Sequence, residues 1–102
     1  MLSTKQIKFL KKEAHHLKPI FQIGKGGVNE EMLVQINQAL EKRELIKITL
    51  LQNTMEDTEH VASILTQQLH IIVVQIIGHT LVLYKQSSTP KYRHISEKVK
   101  NI

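Results

Sequence analysis

The segment Gly24-Lys25-Gly26-Gly27 has the residue types and spacing that best suit chemistry, and that chemistry is phosphate binding. Glycine lets the backbone approach a ligand closely and adopt positive φ angles. Exposed N–H groups before a helix attract an anion, and Lys25 adds a mobile positive charge. Neither the Walker spacing nor the third glycine of a Rossmann fingerprint is present, which excludes these two nucleotide-binding loops. Glycines at a strand-to-helix turn also serve turn geometry alone, so the motif by itself leaves both interpretations open.

Lysines are concentrated before this loop and in the last part of the chain. The sequence has 14 Lys and Arg against 9 Asp and Glu, a net charge of +5. Residues 1–27 and 85–102 are basic and residues 28–84 are acidic, as in proteins with one surface that meets a polyanion. Lysines on helix faces also serve solubility, so charge alone does not decide. We expect the first helix and the glycine loop to share one side, where a single groove is lined by Lys5, Lys8, Lys11, Lys12, Lys18 and Lys25.

The sequence lacks the residues of several other function classes. It has no cysteine, which excludes a disulfide framework, a thiol nucleophile and a Cys-ligated metal. No two histidines have the i, i+4 spacing of a metal pair, and Glu30 and Glu31 are explained by a helix start. We therefore expect no enzymatic activity, cofactor, metal or small-molecule substrate. Without an apolar run of ~20 residues or a secretory signal, we expect a cytoplasmic protein with no membrane partner.

Three helices are predicted from apolar periodicity and capping residues. The first covers residues 4–17, because Ile7, Leu10, Ala14 and Leu17 form one stripe, and it ends at Lys18-Pro19. The second covers residues 29–43, with Asn29 as its N-cap. The third follows Asn53 and Thr54, whose spacing to Glu56 and Asp57 nearly matches a capping box.

Four strands are predicted between and after these helices, over residues 20–23, 45–51, 71–77 and 80–84. The third is almost entirely apolar, which predicts burial on both faces, and Gly78-His79 suits a type II′ turn into the fourth. The order α-β-α-β-α-β-β predicts an α/β two-layer sandwich with a mixed four-stranded sheet. A chain of 102 residues forms one domain, over residues 1–86. Residues 87–102 are predicted to be a basic, mobile tail, with at most one loose helical turn.

Four segments together resemble the CRM-domain family, in particular its bacterial single-domain YhbY-like members: residues 17–29, 43–48, 53–57 and 75–85. The resemblance implies a fold like the C-terminal domain of bacterial translation initiation factor three, with an added N-terminal helix. It also implies RNA binding through the Gly-x-x-Gly loop and adjacent basic surface, and association with the precursor of the large ribosomal subunit during ribosome assembly. By position, the loop is residues 24–27 and the basic surface includes the lysines of the first helix.

Two alternatives remain open from the sequence. A KH domain also carries a Gly-x-x-Gly, but there the loop joins two helices, whereas residues 20–23 have the pattern of a strand. A protein-interaction adaptor that docks on a ribosomal protein is the second alternative, because the middle of the chain offers Glu41, Glu44, Glu56, Asp57 and Glu59. No apolar stripe is left over for a second copy, so we expect a monomer.

Overall fold

The computed structural model describes residues 2–102 and contains four α-helices, four strands and a short 3₁₀ turn within that range. The helices are α1 (Thr4–Ala14), α2 (Glu30–Arg43), α3 (Thr58–Leu69) and α4 (His94–Lys100). The strands are β1 (Phe21–Ile23), β2 (Leu45–Leu50), β3 (Ile72–Ile77) and β4 (Thr80–Tyr84), and the 3₁₀ turn is Pro90–Tyr92. None of the helices within residues 2–102 has the length and apolar character needed to cross a membrane.

The four strands form one mixed sheet in the order β1-β2-β4-β3. β1 runs parallel to β2, while β4 is antiparallel to both β2 and β3. Gly78 adopts a φ of 58°, the conformation that a type II′ turn requires at its first central position. β3 lies at an edge of the sheet and contains a β-bulge between Val73 and Gln75.

Helices cover both faces of this sheet. α2 and α3 pack on one face, where Ile36 and Leu65 belong to the same buried cluster as Ile48. α1 and α4 pack on part of the other face, where Leu10 and Val99 belong to a second buried cluster. The predicted α/β sandwich with a mixed four-stranded sheet is confirmed, and α1 with α4 adds a partial layer on its second face.

Three element predictions need correction. α1 ends at Ala14 and not at residue 17, and Leu17 is 37% exposed beyond it. β3 is not buried on both faces, because it is an edge strand and leaves Ile76 and Ile77 exposed. The N-cap of α3 is Asp57, whose side chain accepts a hydrogen bond from the His60 backbone N–H at 2.7 Å.

Residues 87–102, predicted from the sequence to be a mobile tail with at most one loose helical turn, form the 3₁₀ turn and the seven-residue helix α4. Val99 in α4 is only 4% exposed, and its carbonyl oxygen accepts a hydrogen bond of 2.9 Å from the Gln6 side chain in α1. α4 therefore rests against α1 through contacts that link the two ends of the chain.

A buried carboxylate explains the order of this segment. Glu44 follows α2 at a φ of 64° and is fully buried. Its Oε2 accepts hydrogen bonds from the Ser87 backbone N–H at 2.8 Å and from the Ser96 hydroxyl at 2.6 Å. Its Oε1 accepts from the Ser96 backbone N–H at 2.9 Å. These partners are distant in sequence, so no local pattern within the tail could indicate them.

Candidate nucleic-acid interface

The glycine loop (residues 24–27) connects β1 to α2 at one end of the sheet. Ile23, the last residue of β1, pairs with Leu50, the last residue of β2, so the loop lies where both strands end. Within the loop, the Gly27 N–H donates to the Gly24 carbonyl oxygen at 3.0 Å and closes a tight turn. The loop leads directly into α2, because the Asn29 side chain caps the helix by accepting from the Met32 N–H at 2.9 Å.

Turn geometry explains one glycine of this loop and leaves another without a structural reason. Gly27 adopts a φ of 65°, and a β-carbon there would lie 3.1 Å from Glu56 Oε1. A β-carbon on Gly26, by contrast, would meet no atom within 4 Å. Within residues 2–102, the backbone N–H groups of Lys25 and Gly26 donate no hydrogen bond, and both residues are exposed. The loop thus presents two free donors to solvent, with open space above Gly26.

The charges around the loop are mostly negative. We use "loop end" for the glycine loop, residues 51–57 and the Gly78-His79 turn. Lys25 is the one Lys or Arg between residues 19 and 41, and residues 48–84 contain none. Five acidic residues lie at this end, at the starts of α2 and α3: Glu30, Glu31, Glu56, Asp57 and Glu59. The Glu56 carboxylate is 3.4 Å from the His60 imidazole.

The positive charge lies at the opposite end of the sheet, which we call the basic end. α1 packs there, because buried Leu10 clusters with Leu45 and Tyr84, a pair that joins the start of β2 to the end of β4. Leu45 and Leu50 are separated by about 17 Å along β2. The cations of the basic end come from α1 and the residues after it, from the end of α2 and from the tail: Lys5, Lys8, Lys11, Lys12, Lys18, Lys42, Arg43, Lys91, Arg93, Lys98 and Lys100.

The lysines of α1 point outward from the sheet. Lys8 and Lys12 lie about 160° around the helix axis from buried Leu10, and Lys5 lies about 140° from it. Lys11, about 100° from Leu10, is on the flank of the helix. The structure therefore does not bring these lysines and Lys25 into one groove: Lys25 lies at the loop end, and the lysines of α1, with Lys18, lie at the basic end.

Sequence reasoning missed two cations and a bridging lysine. Lys42 and Arg43 line one cavity with Leu17, just after α1, because α2 runs from the loop end back to the basic end. Lys42 and Arg43 are visible in the sequence as a basic pair in the last turn of α2, but the end of the sheet at which they lie depends on the direction of this helix. Lys47, in β2 between the two ends, donates a hydrogen bond from its Nζ to the Leu17 carbonyl oxygen at 3.0 Å.

The structure also bears on the two alternatives that the sequence left open. The Gly-x-x-Gly of residues 24–27 follows a strand and precedes a helix, so the KH alternative is wrong. Of the acidic residues that suggested a docking adaptor, Glu41 binds Ser88, and Glu44 binds Ser87 and Ser96. Glu59 remains exposed. Among residues 2–102, no three His, Asp or Glu side chains are grouped so as to hold a metal ion.

Comparison with known proteins gives a consistent result over nearly the whole chain. Residues 2–85 match the model of the CRS1/YhbY (CRM) domain family. The chain is 55% identical over 91 residues to the Bacillus subtilis protein named "Probable RNA-binding protein YqeI", a match that covers 89% of this chain and 95% of that protein. It is 40% identical over 90 residues to a Haemophilus influenzae protein named "RNA-binding protein", covering 88% and 91% of the two chains.

A solved structure has the same fold. The solution structure of a hypothetical protein from Staphylococcus aureus superimposes with a TM-score of 0.71 at 46% identity, covering 87% of this chain and 93% of that one. The matched region of the family model ends at residue 85, before the tail. The sheet and the glycine loop agree with these matches, and the chain therefore belongs to the CRS1/YhbY (CRM) domain family.

Proposed function

We propose that this chain binds RNA, with its basic end holding phosphates and its loop end contacting a smaller part of the same molecule. Membership of the CRM family and the names of two relatives support RNA as the partner. The observation that carries the proposal is the separation of charge: the outward lysines of α1 are joined at one end by Lys42 and Arg43. Exposed cations on a single surface are the electrostatic footprint of a polyanion site.

Phosphate contacts at the basic end supply most of the affinity in this proposal. Each phosphate that a Lys or Arg neutralises releases counterions, so affinity falls as salt rises. With about five such contacts, log K falls against log[salt] with a slope of roughly −3.5 to −4.5. Contacts of this kind position an RNA without reading its sequence.

The glycine loop makes a more limited contact. Its free Lys25 and Gly26 N–H groups and the Lys25 ammonium suit one phosphate. The neighbouring Glu30 and Glu56 carboxylates repel further phosphates, so the loop adds little to the general affinity. We propose that this loop fixes the orientation of an RNA already held by the basic end.

Three variants with the same change in net charge test this assignment. Lys8→Gln with Lys12→Gln removes two charges from the basic end, and Lys25→Glu makes an equal change at the loop end. The matched control is Gln67→Glu with Gln68→Glu, on the exposed surface of α3. Titration of ribosomal RNA fragments at several salt concentrations measures affinity and slope for each variant.

We expect the Lys8 and Lys12 double variant to lose about tenfold in affinity for every RNA and to reduce the salt slope by about 1.4–1.8. Lys25→Glu should lose more than the control and keep most of the slope. A control that loses as much as the α1 variant would contradict a localised site. Unchanged affinity of Lys25→Glu, with an unchanged circular dichroism spectrum, would remove the loop from the interface.

We further propose that the RNA belongs to the precursor of the large ribosomal subunit and that the chain acts as a non-enzymatic binding protein and monomer. The resemblance to the bacterial single-domain CRM proteins supports this narrower function. Sedimentation of cell extracts through a sucrose gradient should place the chain with large-subunit precursors, and the Lys8 and Lys12 double variant should leave those fractions. Absence from all ribosomal fractions would refute the ribosomal role. RNA binding itself is tested separately by the titrations.

A further inference from the structure

We propose that a cavity beside the glycine loop is a pocket for a single unstacked nucleobase with an amino group, best suited to guanine. The inference rests on the proposed RNA binding and specifies what the loop end reads. The cavity has a volume of about 250 Å³ and lies between residues 50–58 and the Gly78-His79 turn. This is several times the ~30 Å³ share of a water molecule and below the range of about 300–1,000 Å³ typical of drug-sized ligands.

The cavity and the glycine loop share two side chains. Leu51 lines the cavity, and its Cδ1 lies 3.5 Å from the position of a β-carbon on Gly24. Glu56 also lines the cavity, and its Oε1 lies 3.1 Å from the equivalent position on Gly27. A nucleotide whose phosphate contacts the free N–H groups of Lys25 and Gly26 therefore has this cavity beside it, across the Leu51 and Glu56 side chains.

The lining of the cavity suits a base and not a phosphate. Leu50 and Leu51 supply an apolar wall, and His79, which is exposed, supplies an aromatic ring of the kind on which bases stack. The Leu50 N–H donates to the His79 carbonyl oxygen at 2.8 Å, which holds the turn beside this wall. No Lys or Arg lines the cavity, so nothing in its lining attracts a phosphate.

The polar side of the lining includes two pure hydrogen-bond acceptors, next to Gln52, Thr58 and other groups that can also donate. The Glu56 and Asp57 carboxylates and the Thr54 hydroxyl all border the cavity. Ionised carboxylates accept hydrogen bonds and donate none, so they select bases that present N–H groups. Guanine presents two adjacent N–H donors on its Watson–Crick edge, which match the two oxygens of one carboxylate, whereas uracil has no amino group. Glu56 is better placed for this role than Asp57, which already caps α3; the Glu56 Oε2 lies 3.4 Å from the His60 imidazole, and its Oε1 makes no hydrogen bond within residues 2–102.

Nucleotide titrations of the full chain labelled with ¹⁵N test the pocket. GMP, AMP, CMP and UMP carry the same phosphate, so differences among them report on the base. We expect GMP to shift the amide signals of residues 50–58 and 78–79 together with those of 25–27, and UMP to shift only the latter. Equal shifts from all four nucleotides would overturn the proposal.

Glu56→Gln separates base reading from phosphate binding. The change removes a pure acceptor and a negative charge beside Gly27, so the preference for GMP over UMP should fall about tenfold while UMP binding stays equal or improves. Met55→Ala is the matched control, because Met55 is 94% exposed in the same loop and does not line the cavity. An unchanged preference in Glu56→Gln, with native amide signals elsewhere, would refute the assignment.

The two proposals fail in distinguishable ways. If RNA binding depends on Lys8 and Lys12 but no base preference exists, the pocket is wrong and the proposed function stands. If the chain binds no RNA at all, the proposed function fails, and the inference about the pocket fails with it.

Discussion

Replacement of Glu44 by alanine should release the tail from the domain. The Glu44 carboxylate is fully buried and accepts three hydrogen bonds, two from Ser96 and one from Ser87. In Glu44→Ala the two backbone N–H groups and the Ser96 hydroxyl lose their acceptor inside the protein. The backbone at residue 44 keeps its positive φ, so the change acts mainly through these donors.

The magnitude follows from two competing ways in which the variant can respond. Each buried donor left without a partner costs about 1–3 kcal/mol, or roughly 3–9 kcal/mol for all three. The tail can avoid this cost by undocking, which exposes Val99, a side chain whose burial stabilises by about 1.5–3 kcal/mol. The variant adopts the response with the smaller cost in free energy, which is undocking of the tail. We therefore expect the free energy of unfolding to fall by about 2–3 kcal/mol.

Urea unfolding measures this loss, and amide hydrogen exchange locates it. Exchange in α4 should accelerate by roughly 100-fold, while the amides of β2 and β4 keep most of their protection. Glu41→Ala is the control, since Glu41 binds Ser88 at the exposed surface and should cost under about 1 kcal/mol. A loss in Glu44→Ala no larger than in Glu41→Ala, or α4 exchange equal to that of the wild type, would refute the reasoning.

Three further predictions concern stability. Gly27→Ala should lose about 1–2 kcal/mol in thermal unfolding because of its φ of 65° and the nearby Glu56 carboxylate, whereas Gly26→Ala should match the wild type. Hydrogen bonds from Ser88 hold the pKa of Glu41 below its ordinary value of 4.5, so the stability advantage of wild type over Glu41→Gln should be present above pH 4.5 and shrink as the pH falls further. Burial, followed by the Glu44 charge, raises the pKa of Tyr84 above 10.0, so stability should fall as the pH rises past 10.0, and less so in Tyr84→Phe.

Local signals in the sequence predicted much of the fold. Asn29 caps α2 as expected, because a side-chain oxygen next to an apolar stripe acts on a backbone N–H three residues away. The predicted N-cap of α3 was wrong because several residues that can cap a helix occur within a few positions, from Asn53 to Asp57. Thr54 accepts a hydrogen bond from the Glu56 N–H at 3.2 Å in its own turn, and this leaves Asp57 as the cap.

Features that depend on distant residues could not be predicted. The order of the tail rests on Glu44, whose partners lie 43 and 52 residues further along the chain. The placement of the lysines depends on where α1 crosses the sheet and on the direction of α2. The glycine loop was identified by its spacing, and Glu30 and Glu31 follow it directly in the sequence. Glu56, in contrast, is brought against Gly27 only by the folding of residues 51–57.

The bulge in β3 has a consequence for how copies of this chain meet. β3 is an edge strand whose Ile76 and Ile77 are exposed, and an edge of this kind is a template for continuing the sheet into a neighbouring molecule. The extra residue between Val73 and Gln75 breaks the even spacing of the outward backbone donors and acceptors and twists the strand. An incoming strand cannot stay in register along its length, so aggregation through this edge is suppressed despite the two isoleucines.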